Sequence, residues 1–278
     1  MKISGHILSD ATGKPVPFRK SPNHGGALTP TLIVFHDTAG GMAADGSISW
    51  LTDPASKVSA HLVLGRDGVI TQLLPFNVVA WHAGKSSWRG RSGCNAFSIG
   101  VEIVNPGAMT LHANGKSAIG PDRRNYELIS NNIRRAADDH HPDAFWMDYT
   151  AEQIEAVTQL CAAFKAAYEI EAVTTHWEIA PGRKVDTNPF FPLEHLRAKF
   201  FGASDADGPP EVVTVVETSI RRWPSYADNI VGTTVVGEVV TPIRNGSFVN
   251  NGRVEGWTLI RTESGVEGWL NNTYLQHA

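Results

Sequence analysis

Three stretches in the first part of the chain carry the periodicity of strands. Leu32 to Phe35 (LIVF) is an unbroken apolar run ending at His36, the pattern of a buried strand with a polar residue at its tip. Val58, Ala60, Leu62 and Leu64 alternate with Ser59, His61 and Val63. Arg66-Asp67-Gly68 then interrupts before the run VITQLL, which predicts a hairpin. Ser98 to Val104 (SIGVEIV) predicts a further strand, and Ala172 to Thr175 is a short β-prone run. Helical spacing is clearest over Thr150 to Tyr168. There Thr150 and Gln153 match a capping box, and Ile154, Val157, Leu160, Cys161, Phe164 and Tyr168 recur at steps of three and four. Residues 124–137 read as a second, weaker helix and Ser47 to Thr52 as a short one. The sum predicts an α/β domain, a mixed central sheet with covering helices.

The pattern changes after residue 201. Residues 202–211 (GASDADGPPE) have the small, acidic, proline-containing composition of a linker. From 212 to 275 short Val-, Thr- and Trp-bearing runs alternate with turns such as Asn250-Asn251-Gly252 and Glu263-Ser264-Gly265, without helical period, which predicts a small all-β barrel. The expected division is 1–201, a linker at 202–211, and 212–278.

Composition narrows the function classes. A chain of 278 residues suits about two domains at roughly 150 residues each. With 24 Lys+Arg against 28 Asp+Glu the net charge is −4, so there is no electrostatic footprint for nucleic acid or an anionic membrane. No run approaches the roughly 18 apolar residues of a membrane span, and residues 1–30 lack the apolar core of a signal peptide. Synthesis in the cytoplasm without a classical leader is the expectation. Two cysteines, Cys94 and Cys161, exclude a disulfide scaffold and a multi-cysteine zinc module, and read as free thiols.

The densest chemistry lies in His176 to Pro192, HWEIAPGRKVDTNPFFP. An imidazole, an ammonium and a carboxylate fall within eleven positions around Ala-Pro-Gly, which forces an irregular loop. Taken with IVFHDTAG around His36, SAHLVLGRDGVITQLLP from Ser59, WHAG at Trp81 to Gly84 and CNAFSIGVEIVN from Cys94, this segment resembles the zinc-dependent N-acetylmuramoyl-L-alanine amidases of the type 2 family, whose fold is shared with animal peptidoglycan recognition proteins.

The resemblance implies one Zn²⁺ per chain, bound by His36, His176 and Asp186. Two imidazoles and a carboxylate suit zinc, and three protein ligands leave the fourth position open, as a catalytic site requires. It implies Glu102 of the SIGVE motif as general base, since the tyrosine that other members carry before the hairpin histidine is Ala60 here. It implies Lys184 as an oxyanion-stabilising ammonium, an effect worth about 3 kcal/mol in enzymes generally. His61 and His82 are placed near the groove as substrate contacts. Many relatives continue Asp-Pro-Gly after the last ligand, whereas this chain has Asp186-Thr187-Asn188-Pro189, which puts the loop geometry in question. His140-His141 reads as a solvated helix end, and Cys94 as a structural residue rather than a nucleophile.

The C-terminal part, through SIRRWPSYADNIVGTTVVGEVV and GVEGWLNNTYLQ, resembles bacterial Src-homology-3-like (SH3-like) cell-wall-binding modules, with Trp223, Trp257 and Trp269 available for packing or for a ligand groove. The resemblances together imply hydrolysis of the amide between N-acetylmuramic acid and L-alanine, on peptidoglycan or muropeptides, at the bacterial cell wall after release or non-classical export. The alternatives are a peptidoglycan recognition protein that only binds and a cytoplasmic amidase that recycles muropeptides. A zinc peptidase of the His-Glu-x-x-His kind lacks its motif.

Overall fold

A strand that is apolar at every position must be covered on both faces, and Leu32–Asp37 is buried at all six. In the computed structural model, which describes residues 1–202, 212–250 and 253–277, this strand (β1) is internal to a five-stranded sheet. The others are β2 (Leu62–Leu64), β3 (Ile70–Gln72), β4 (Ser98–Ile103) and β5 (Ala172–Thr175), in the order β5-β1-β4-β2-β3. β5, β1, β4 and β2 run parallel, and β3 returns antiparallel to β2 through the turn at Arg66-Asp67-Gly68, where Gly68 has φ +79°.

Alternation along β1 assigns its side chains to two layers. Ile33 and Phe35 join Val157, Leu160, Cys161 and Phe164 of helix α2 (Ala151–Ala167) and Leu196 of helix α4 (Leu193–Phe201). Leu32 and Val34 face Cys94, Phe97 and Ile179 on the other side. Further along that side, helix α1 (Ala44–Thr52) sets Ile48 and Leu51 against Val63 and Leu73. The capping box closes as expected: Thr150 Oγ1 accepts from Gln153 N and Gln153 Oε1 accepts from Thr150 N, both at 3.1 Å, a cap worth about 1 kcal/mol.

Two helical expectations fail. Residues 124–137 form no helix but the strands Asn125–Glu127 and Ile133–Ala137. Tyr126 is buried between exposed neighbours, a period of two, and Asn132 takes a left-handed φ of 49° that reverses the chain. His140-His141 is therefore not a helix end. It lies in a turn where Asp138 Oδ1 accepts from the backbone N–H of both histidines, and His141 is buried rather than solvated.

Two compact units emerge, Met1–Arg134 with Ala144–Phe201, and Arg135–Asp143 with the residues from Gly202 onward. Of the expected linker, residues 203–211 lie outside the described residues, as do Asn251 and Gly252 of one expected turn. The second unit is all-β. Strands Val239–Asn250, Arg253–Thr262, Glu267–Asn271, Thr218–Arg221 and Ile230–Thr234 follow one another in an antiparallel sheet, and Val212–Thr214 pairs with both the first of these and Leu275–His277. Ala136 and Ala137 extend this sheet against Phe248 and Ser247. Ile220, Val240, Ile260 and Leu270 form its core, and Trp257 and Trp269 are buried beside Tyr226 and Phe248 respectively, so both serve packing. Among the described residues no helix is long and apolar enough to cross a membrane.

Candidate metal centre and active site

The carboxyl ends of adjacent parallel strands lie at one edge of a sheet, where open α/β sheets place their ligands. Here that edge collects residues distant in sequence. His36 stands opposite Glu102 in the β1–β4 register, and Phe35 stands opposite Thr175 in the β1–β5 register, so His176 emerges one step beyond. After Thr175 the chain turns into the single-turn helix α3 (His176–Ile179) and loops back. The Trp177 N–H donates to the Asp186 carbonyl at 2.8 Å, which holds Asp186 beside His176.

The result is a triangle of ligand atoms. His36 Nδ1 lies 2.9 Å from His176 Nδ1 and 3.4 Å from Asp186 Oδ2, and His176 Nδ1 lies 3.0 Å from the same oxygen. Both imidazoles are buried, while Asp186 keeps 17% of its side chain exposed. Burial and the neighbouring His176 hold the His36 imidazole down to about 4, so it is neutral near pH 7. Burial alone would raise Asp186, but the two imidazoles at its carboxylate, His176 and His36, outweigh it and keep the carboxyl below the usual range. Two imidazole nitrogens and one carboxylate oxygen are the donors zinc prefers, and bond lengths near 2.1 Å in a tetrahedron imply ligand separations of about 3.3 Å. The group fits. Among the described residues it is the one set of three such side chains that converges this closely.

The far sides of both rings meet the WHAG segment. His176 Nε2 lies 3.3 Å from the Ala83 carbonyl, which also accepts from Arg183 Nη2 at 2.8 Å. His36 Nε2 lies 2.9 Å from His82 Nδ1, and His82 Nε2 lies 3.2 Å from Ser98 Oγ. Asn95 Oδ1 clasps this segment by accepting from the backbone N–H groups of His82 and Ala83, at 3.1 and 2.7 Å. His61 is wholly buried, with Nε2 2.9 Å from the Val78 carbonyl and Nδ1 accepting from Gly100 N. These bonds occupy every ring nitrogen of His61 and His82, leaving none for a substrate in this arrangement.

Glu102 sits at the same edge, its carboxyl raised by burial and by the charges of Asp186 and Asp37, with Lys184 pulling the other way. Lys184 also opposes protonation of His36, which places its ammonium in the field of the centre.

Comparison with known proteins accords with this geometry. The sequence signature described as N-acetylmuramoyl-L-alanine amidase matches residues 26–189, more than half of the chain. The chain belongs to the type 2 N-acetylmuramoyl-L-alanine amidase family. This amidase is 30% identical to 1,6-anhydro-N-acetylmuramyl-L-alanine amidase AmpD of Escherichia coli K12 over 61% of its own length and 81% of the relative's. It is 32% identical to the E. coli K12 amidase AmiD over 62% of its length and 54% of that protein's. A crystal structure of a selenomethionine AmpD derivative aligns with a TM-score of 0.51 at 26% identity, over 71% of this chain and 98% of that one.

The loop that follows Asp186 is held by local contacts. Asp37 follows His36 on the opposite face of β1, where Tyr149 donates its hydroxyl to Oδ1 at 2.7 Å and the Asn188 N–H donates to Oδ2 at 2.8 Å. Asn188 Nδ2 donates to the Met147 carbonyl at 2.9 Å. Asn188 thus pins the loop just after Asp186. Sequence reasoning missed Asp37, Asn95 and Ser98. Each lies inside a motif already singled out; for Asp37 and Ser98 the signal was a polar residue within a buried strand, whereas Asn95 lies in the single 3-10 turn Cys94–Ala96 and carried no such signal.

Proposed function

We propose that this amidase binds one zinc ion through His36 Nδ1, His176 Nδ1 and an Asp186 carboxylate oxygen, and uses it to cleave the amide between N-acetylmuramic acid and L-alanine in muropeptides and peptidoglycan. The ligand triangle, with edges of 2.9 to 3.4 Å at the strand ends beside Glu102, carries the reading. Zinc at such a site supplies Lewis acidity, lowering the pKa of water towards about 7 and polarising the scissile carbonyl.

The chain's own groups handle the rest. Glu102 takes the proton of the attacking water and returns it to the leaving amine. A carboxyl raised by burial is suited to both halves of that exchange, because its affinity for the proton lies nearer that of its partners. Lys184 holds a fixed positive charge towards the oxygen that becomes negative as the carbonyl carbon turns tetrahedral. His36 and His176 stay oriented by bonds at their far nitrogens.

For the C-terminal all-β unit the proposed role is an SH3-like module that holds polymeric wall close to the active site, raising effective concentration without touching the reacting bond. The proposed place of action is the bacterial cell wall. Mass spectrometry of the products from a soluble muropeptide and from intact sacculi, with metal analysis of the dialysed protein, tests the reading. Release of the free peptide stem with one zinc per chain is expected; cleavage within the stem or within the glycan would overturn it.

A further inference from the structure

The hydrogen bonds behind His36 have a direction that geometry fixes. Ser98 Oγ lies 2.6 Å from the Cys94 carbonyl, and a carbonyl only accepts, so the one hydroxyl proton of Ser98 is committed there. Towards His82 Nε2, 3.2 Å away, Ser98 is then an acceptor, and Nε2 must carry a proton. His82 is buried, and neither of its ring nitrogens meets a carboxylate, so the ring sits there as a neutral donor and acceptor. A neutral ring protonated at Nε2 has a bare Nδ1. That Nδ1 lies 2.9 Å from His36 Nε2, so His36 donates, and its remaining nitrogen, Nδ1, turns an open lone pair to Asp186 and His176.

The imidazole of His82 has no room to shift. A methyl group added at Gly100 would come within 2.4 Å of its Cγ, and the Asn95 clasp fixes its backbone. The glycine of SIGVE is therefore the floor on which this ring lies.

We propose that Ser98 and His82 are positioning residues that preset the tautomer of His36, so that Nδ1 is already bare when the metal arrives. The inference rests on the zinc reading above, and it adds that the ligand's protonation pattern is written by a serine two residues removed along a hydrogen-bond chain. Ligating histidines ordinarily donate their second N–H to a carboxylate, a carbonyl or water. Here the acceptor is another imidazole, which is ambiguous by itself and acquires its sense from Ser98. Without the serine, His82 is free to carry its proton at Nδ1, where it would donate to His36 Nε2 and drive the His36 proton onto the ligating nitrogen.

The test uses the full chain labelled with ¹⁵N-histidine, metal-free and zinc-loaded, with long-range ¹H–¹⁵N spectra to read each tautomer and chelator competition to measure zinc affinity. In the metal-free parent, His82 is expected as the neutral Nε2–H form, unchanged on loading. S98A should give a mixture of His82 tautomers without metal and weaken zinc binding about 10- to 100-fold. S98T, which keeps the hydroxyl, should restore the single tautomer. A metal-free parent with His82 protonated at Nδ1, or a folded S98A chain within twofold of parental zinc affinity, would overturn the relay. Should S98A fail to fold, the parental tautomer alone decides. A parent that binds no zinc defeats the metal reading instead, and the metal-free spectra still judge the relay.

Discussion

The two units of this amidase use strands to opposite ends. In the first, β5, β1, β4 and β2 run parallel, so their carboxyl ends share one edge and His36, Glu102 and His176 converge there from positions far apart in the chain. In the second, the neighbouring strands are antiparallel, so each carboxyl end lies beside an amino end and the core is the apolar group Ile220, Val240, Ile260 and Leu270. Strand direction, more than strand composition, decides which unit can assemble a reactive cluster from distant residues.

The contrast breaks if the convergent edge is dispensable. Replacing His176 by Ala should abolish both stoichiometric zinc and amide cleavage, since two ligand atoms cannot hold the site; full metal content after dialysis would refute the ligand assignment. Glu102→Gln keeps the shape and removes the base, so the rate should drop about 10²- to 10⁴-fold with zinc retained, as steady-state kinetics and metal analysis would show.

A third measurement sharpens the comparison through stability. His61 in the first unit is wholly buried and held down to about 4, against an ordinary value of 6.5. Between those values protons prefer the unfolded chain, so stability is present above pH 6.5 and lost as pH falls towards 4, by up to about 3 kcal/mol from this imidazole. Urea unfolding of the first unit's signals at pH 7.5 and 4.5 should reveal the loss. Flat stability over that range would show that His61 is not held neutral by its surroundings. The smallest effect is expected from ending the chain at Phe201. Cleavage of a soluble muropeptide should stay near parental, whereas action on sacculi falls. Because Ala136 and Ala137 lose their sheet partners, limited proteolysis should now cut within 135–143.

What the sequence disclosed follows the same division. The capping box at Thr150 and Gln153 and the strand Ala172 to Thr175 are set by local spacing and were legible to the residue. The alternation from Val58 was legible in kind but not in extent, for only Leu62–Leu64 pairs as strand. Residues 124–137 misled because their apolar positions suit either period, and the deciding feature, the left-handed turn at Asn132, depends on the strands it joins. At the site, motif order located His36, Glu102, His176 and Asp186. It gave no account of which ring nitrogen faces which neighbour, a property of three-dimensional packing that sets His82 between His36 and Ser98.

The order of strands also schedules the enzyme's birth. A chain emerging from its amino end can pair β1, β4, β2 and β3 before residue 172 exists, because those four already lie side by side. β5 is an edge strand and the last of the five to be made. His176 and Asp186 reach His36 only when it docks, so a chain cut short before residue 172 keeps four of the five strands and lacks two of the three side chains of the candidate metal set.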